Sequence, residues 1–204
     1  GYVNWGYEAI GRFDSWEQIA NYPVDNDRKG NRTVVPGDIM YKDQNNDGVI
    51  NYLDERPIGY RVDSTPTLNF GINLSASWKG FDLAMDWTGS GMTSWNQCYE
   101  TARPFQNDGN SPDEVLKDAW HLSDIWDANS PLIPGKYPMV RLNTDETSAY
   151  DKSSYWLHNV TYLKLRNLEV GYTFPKTWLN RTGISNLRLF VSGTNLLTLS
   201  NLSV

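Results

Sequence analysis

One cysteine, Cys98, is all the thiol in this 204-residue chain, and there are only two histidines. A single thiol excludes an intrachain disulfide framework and any cysteine-based zinc site. Positive charge is also short: 18 Lys and Arg stand against 24 Asp and Glu, a formal net charge of −6. Nucleic acid is therefore not an expected partner, since it calls for a basic face. No apolar run approaches the roughly 18–20 residues of a membrane-spanning helix. The first residues do not read as a secretory leader, and there is no internal repeat or low-complexity tract. What is abundant is aromatic: nine Trp and twelve Tyr, beside sixteen Gly and ten Pro. That mixture favours strands and long loops over helices.

Four stretches read as strands. In Leu68–Trp78 every even position from Leu68 to Trp78 is apolar, and the odd positions are Asn, Gly or Ser. After Lys79-Gly80 the phase resumes on odd numbers, with Phe81, Leu83, Met85 and Trp87 apolar and Asp82, Asp86 and Thr88 polar. A two-residue turn pairs Trp78 with Phe81, Ala76 with Leu83, Leu74 with Met85 and Ile72 with Trp87, all on one face. The third strand, Val160–Phe174, slips phase near Asn167, which suggests a bulge or a change of environment. The fourth is Leu187–Leu199, with Phe190 and Leu196 off the pattern.

Between these strands the connections are unequal. The hairpin turn takes two residues and the connector 175–186 about a dozen, whereas the segments 1–66 and 91–159 are far longer than ordinary loops. They carry Trp16, Trp95, Trp120, Trp126 and many Tyr, too aromatic for disorder. Within 111–122, Ser111, Pro112 and Glu114 look like a capped helix start; Asp14–Ala20 reads as another helical turn. Short turns at one end and long ordered loops at the other suit a transmembrane β-barrel. A soluble β-sandwich gives the same alternation, and the pattern alone does not separate the two. Four strands cannot close a barrel.

The sharpest local motif is Asp43-Gln44-Asn45-Asn46-Asp47-Gly48-Val49-Ile50-Asn51-Tyr52-Leu53-Asp54, which matches a calcium loop. Asp43, Asn45 and Asp47 would supply oxygens, Val49 a carbonyl, Asn51 the ninth position and Asp54 the closing carboxylate. Pro36-Gly37 and Pro57 replace the flanking helices of an EF-hand, so a calcium ion here would stiffen a loop. A tight Asx-rich turn is the alternative. No residue is assigned a catalytic role. His121 and His158 lack a constellation, and neither G-x-S-x-G nor a P-loop is present. The sequons at Asn31, Asn159 and Asn180 read as coincidence in an Asn- and Thr-rich chain. Loop aromatics could stack on sugars or anchor a partner, though packing of the loops on themselves explains any single one of them as well.

Taken in order, VPGDIMYKDQNNDGVINYLDERPIG, PTLNFGINLSASWKGFDLAMDWTGSG and YLKLRNLEVGYTFPKTWLNRTGISNLRLFVSGTNLLTLS closely resemble the C-terminal part of SusC/RagA-type TonB-dependent outer-membrane receptors. The resemblance runs from about Pro36 to Leu199. It implies an all-β fold, a segment of a 22-stranded transmembrane antiparallel barrel with long, partly helical extracellular loops. Residues 1–66 would be an extracellular loop holding the calcium-like loop 43–54, residues 67–90 a barrel hairpin, and residues 91–159 a second extracellular loop. Residues 160–204 would add two strands joined by a periplasmic turn at 175–186.

Phe70, Ile72, Leu74, Leu83, Met85 and Trp87 would meet lipid, and Asn73, Ser75, Asp82 and Asp86 the lumen. The resemblance further implies import of oligosaccharides or peptides across the outer membrane of a Gram-negative bacterium. The partners would be a SusD-like lipoprotein and the TonB complex. The family's plug, TonB-box segment and closing strands are absent from the sequence, so a piece of a longer chain is expected. From the residues themselves, a soluble, calcium-stiffened β-sandwich that binds glycans is the alternative.

Overall fold

The computed structural model describes residues 3–62, 65–142, 147–180 and 183–202. Among the described residues, ten strands and three short helices follow in the order β1 (Val3–Gly6), β2 (Ala9–Arg12), α1 (Trp16–Ala20), β3 (Ile39–Tyr41), β4 (Arg56–Tyr60), β5 (Leu68–Trp78) and β6 (Phe81–Asn96). After them come α2 (Asp113–Lys117), β7 (His121–Leu122), β8 (Leu132–Ile133), β9 (Leu157–Thr173), α3 (Lys176–Leu179) and β10 (Arg188–Ser200). They form two compact units, one from residues 1–62 and 94–158, the other from 63–93 and 159–204.

The second unit is built on a four-stranded antiparallel sheet in the order β10-β9-β6-β5. Its hairpin has the register that the alternation requires: Trp78 pairs with Phe81, Ala76 with Leu83, Leu74 with Met85 and Ile72 with Trp87. Lys79 (φ 49°) and Gly80 (φ 89°) both sit in the left-handed region. This is the signature of a type I′ turn, whose twist matches that of the strands it joins. Gly80 also has no room for a side chain, because a Cβ there would meet the Thr173 carbonyl oxygen at 2.8 Å.

The phase slip near Asn167 has a physical counterpart across the ladder. Asn167 pairs with Thr194, but Leu165 pairs with Leu197, so β10 carries one residue more than β9 at that point. Asn195 takes the left-handed conformation there (φ 56°). The extra residue therefore sits in β10, opposite the place where the β9 sequence changes phase. In the connector 175–186, α3 occupies the first half and Asn180 follows it as the C-cap, while Arg181 and Thr182, the other two residues of that sequon, fall outside the described residues.

In the first unit, short strands pair across long stretches of chain. β1 pairs with β4, Val3 opposite Tyr60, and β2 pairs with β3, Ala9 opposite Tyr41. The core here is aromatic: Tyr7, Tyr41, Tyr137, Tyr150 and Trp156 pack with Ile39, Ile50 and Val115, while Phe13, Ile19 and Val34 form a smaller cluster. α1 starts at Ser15, whose hydroxyl accepts from the Gln18 N–H at 3.2 Å. α2 is a single turn with Pro112 at its start and no side-chain cap. Ser111 does not close the expected box; its hydroxyl donates, at 3.4 Å, to the Pro112 carbonyl.

The segment Val34–Tyr41 is the hub of this unit. Pro36 and Ile39 are fully buried, and Asp38 is buried with them. Gly37 turns at φ 91° directly beneath Trp120, where an added Cβ would lie 2.5 Å from the indole. Arg141 donates to Asp38 Oδ1 at 2.5 Å and to the Thr33 carbonyl at 2.8 Å, and the Val35 N–H donates to Asp38 Oδ2. Burial pushes the Asp38 pKa above the ordinary carboxylate value, although Arg141 pulls it the other way. Asn31 donates to the Val24 carbonyl and accepts from the Asn26 N–H, so this sequon side chain is held inside the loop.

Candidate functional site

Two arrangements bear on function: an acidic loop in the first unit and a two-faced sheet in the second. The acidic loop leaves β3 and ends in a 3₁₀ turn, Tyr52–Asp54, ahead of β4, so no EF-hand helix flanks it. Asn51 caps that turn. Its side chain accepts from the Leu53 N–H, and Asp54 reaches back to the Asn51 N–H. The Asp43 carboxylate accepts from the Asn46 and Gly48 N–H groups, and Asp54, fully buried, also accepts from the Gln44 N–H. Ile50 and the Asp25 carbonyl tie the loop to the neighbouring segment, as do Asp25 N–H and the Gly48 carbonyl.

Of the six residues expected to hold calcium, the fold brings three carboxylates together. Asp43, Asp47 and Asp54 each present an oxygen, all within 4.8 Å of one another. Oxygens bound to one calcium ion at roughly 2.3–2.6 Å span up to about 5 Å, so this cluster is sized for a single cation. Asn45, Val49 and Asn51 are engaged within the loop. Asn45 and Asn51 donate to the Asp47 carboxylate at 2.8 and 3.2 Å, and the Val49 carbonyl accepts from Asn51. Donation from Asn45 and the Val49 N–H holds the Asp47 carboxylate below its ordinary pKa. Among the described residues this is the one cluster of three or more potential metal-binding side chains.

The sheet separates its chemistry by face. On one side lie the even-numbered apolar residues of β5 and their odd-numbered partners on β6, continued by Tyr172, whose ring contacts Phe81 at 4.6 Å. Leu189 and Val191 on β10 pair with Tyr172 and Val170. This face is open: Leu68, Phe70, Ile72 and Leu74 are each 41–49% exposed, and Trp78 is 70% exposed. Phe70 lies over its partner Gly89, whose missing side chain makes room for the ring.

The opposite face is polar and charged. Arg188 bridges Asp82 and Glu169, and Asn167 donates to Asp86 at 3.0 Å. Each of the two aspartates on this face thus has a polar partner, which a greasy interior would not supply. The soluble-sandwich alternative needs an apolar layer against the first face, and the exposure of β5 disfavours it.

No family model matches the chain. Two curated proteins of Formosa agariphila align along nearly all of it. TonB-dependent receptor P3 is 29% identical over 199 residues, covering 95% of this chain and 18% of the receptor. TonB-dependent receptor P26 is 26% identical over 197 residues, with 96% and 18% covered. The chain resembles TonB-dependent receptors. It spans under a fifth of the length of these relatives.

Two solved structures described as the RagAB peptide transporter and the RagAB peptide importer in its open-open state share the fold. Their TM-scores are 0.56 and 0.54 at 20% identity, and they cover 98% and 97% of this chain and 19% of theirs. The likeness to TonB-dependent receptors therefore extends through both units. It includes the acidic loop and the 94–158 segment, where motif reading found little to hold on to.

Proposed function

We propose that this chain is a segment of a TonB-dependent outer-membrane transporter that imports oligosaccharides or peptides together with a SusD-like surface lipoprotein. The observation that carries this reading is the open apolar face of the sheet beside a charged opposite face. Such a continuous exposed patch marks an interaction with lipid or protein. Its height favours lipid: ten residue steps from Trp78 to Leu68 at ~3.4 Å, tilted by ~45°, reach about 24 Å, close to the apolar band of a barrel.

In this reading the first unit lies outside the cell, where its aromatic core keeps long loops ordered beside the cargo path. Asp43, Asp47 and Asp54 hold a calcium ion that stiffens the acidic loop; the ion supplies charge neutralisation and takes no part in any reaction. Arg188, Asp82, Glu169, Asp86 and Asn167 face the aqueous lumen. The process is capture and gated passage, driven through TonB, with no bond made or broken by this segment.

The test is a cysteine scan in cells producing the full-length receptor, with Cys98 replaced and Ile72→Cys or Asn73→Cys introduced. Position 72 is expected to react with a lipid-soluble maleimide only, and position 73 with a water-soluble one only. If position 72 is inert to both reagents and the protein stays dispersed without detergent, the face is a protein core and the transporter reading fails.

A further inference from the structure

The hairpin end of the second unit carries more aromatic surface than a turn needs. Trp78 and Phe81 pair across Lys79-Gly80 and are 70% and 56% exposed. The Phe81 ring meets that of Tyr172 at 4.6 Å, Tyr172 meets Phe174 at 5.0 Å, and Phe174 meets Trp178 at 6.3 Å. The rings thus continue from the turn onto α3, where Trp178 is 65% exposed. Backbone bonds tie the two segments together. The Thr173 N–H donates to the Gly80 carbonyl at 2.7 Å, and the Phe174 N–H donates to the Leu187 carbonyl at 2.9 Å. Of the four residues of α3 only Leu179 is buried; Lys176, Thr177 and Trp178 are exposed. The start of the connector is therefore strapped to the hairpin, with its aromatic residue outward.

Charge at this end has one sign. Residues 74–81 and 170–187 contain no Asp or Glu, in a chain of net charge −6, whereas Lys79 and Lys176 flank the rings and are both exposed. Neither lysine enters an ion pair among the described residues. The Lys79 ammonium lies over the Trp78 ring, 4.8 Å from its centre, which holds the charge beside the aromatic surface. The next carboxylate in sequence, Asp82, belongs to the opposite face and is bound by Arg188. Farther along the aromatic face the side chains turn aliphatic, with Leu74, Leu83, Val170 and Val191. A greasy band that ends in polar-edged rings and long-stemmed lysines is the profile of a surface passing from hydrocarbon into headgroups.

We infer that this collar, α3 included, docks on the headgroup layer at the short-turn end of the sheet, and that Lys79 and Lys176 take the phosphates of anionic phospholipids there. An ammonium group suits a phosphate as a compact point charge, and each exposed indole adds an apolar body with one polar N–H. The connector 175–186 then rests on the bilayer as an anchor and fixes the height at which the sheet sits in it. A protein occupant would have to cover the aliphatic band as well, because band and collar are continuous. That lipid covers this face rests on the transporter reading; the preference for anionic headgroups is an addition to it.

The test places a photo-reactive benzoylphenylalanine at position 178 of the full-length receptor, in vesicles of phosphatidylethanolamine and phosphatidylglycerol in equal parts. Adducts at that residue are identified by mass spectrometry after illumination. Phospholipid adducts are expected, enriched in phosphatidylglycerol over its share of the vesicle. Lys79→Gln and Lys176→Gln should each lower that enrichment by about fivefold, the size expected for one lysine at an anionic surface. Lys79→Arg with Lys176→Arg should keep it. No lipid adduct at 178, or an enrichment unchanged when both lysines become Gln, overturns the proposal. Illumination in cells that yields a protein adduct at 178 in place of lipid overturns it too. Positions 72 and 73 are labelled independently. Lipid at 72 without enrichment at 178 sinks this proposal alone, whereas a position 72 inert to both maleimides in a protein that stays dispersed without detergent sinks the transporter reading.

Discussion

At the scale of single residues, the Asp38–Arg141 pair shows how a loop unit is locked from inside. Asp38 has no exposed surface and Arg141 retains only 18% of its side-chain surface. Removing one partner of such a pair leaves a buried charge alone, a loss of about 3–5 kcal/mol. Arg141→Met is therefore expected to lower the melting temperature of the full-length receptor at neutral pH. The sign of the pH dependence follows from the raised pKa of Asp38. A carboxyl whose folded value lies above its unfolded value favours the fold below the unfolded value, ~3.9, and loses that contribution as pH rises through the folded value. The Arg141→Met deficit should thus fade as the solution is acidified. A deficit that stays constant with pH would show that the lost contacts of the Arg141 stem, and not its charge, matter.

At the scale of elements, each strand position has a side, and the side should govern tolerance. Leu74→Arg places a charge on the open apolar face and is expected to cost about 2–4 kcal/mol in a bilayer, with Ser75→Arg near zero. The measurement is unfolding of the receptor in lipid vesicles by denaturant; equal costs at the two positions would contradict a lipid-facing assignment. The hairpin could be read from sequence because its pairing is local. A two-residue turn leaves one register that keeps Leu74 with Met85, and the period of two assigns every side chain a face.

The first unit could not be read in the same way. Val3 meets Tyr60 and Ala9 meets Tyr41 across long chain separations, in strands of three to five residues that are too short to show a period. The acidic loop was visible because its ligand spacing is written consecutively. The aromatic core was not, since Tyr41 and Trp156 come from segments far apart in the chain and neither segment carries a period.

At the scale of the whole molecule, calcium is where the reading becomes measurable for the first unit as a body. The acidic loop joins the Asp25 segment to β3 and β4, so its order should propagate. Hydrogen exchange of the full-length receptor should quicken across residues 24–56 when calcium is chelated and slow again on its return, with Asp43→Asn plus Asp47→Asn abolishing the response. At a hundredfold excess over the dissociation constant, binding contributes about 2.7 kcal/mol. Exchange indifferent to chelation would leave the motif as an Asx turn. A last consequence concerns how such a protein can change over generations. The first unit has a core of its own, assembled from 1–62 and 94–158 around Tyr41 and Trp156. Sequence change in the first unit can therefore proceed by repacking that core while the strand ladder keeps its register. Chimeras that exchange both halves together, and never one half alone, are the recombinants this architecture permits.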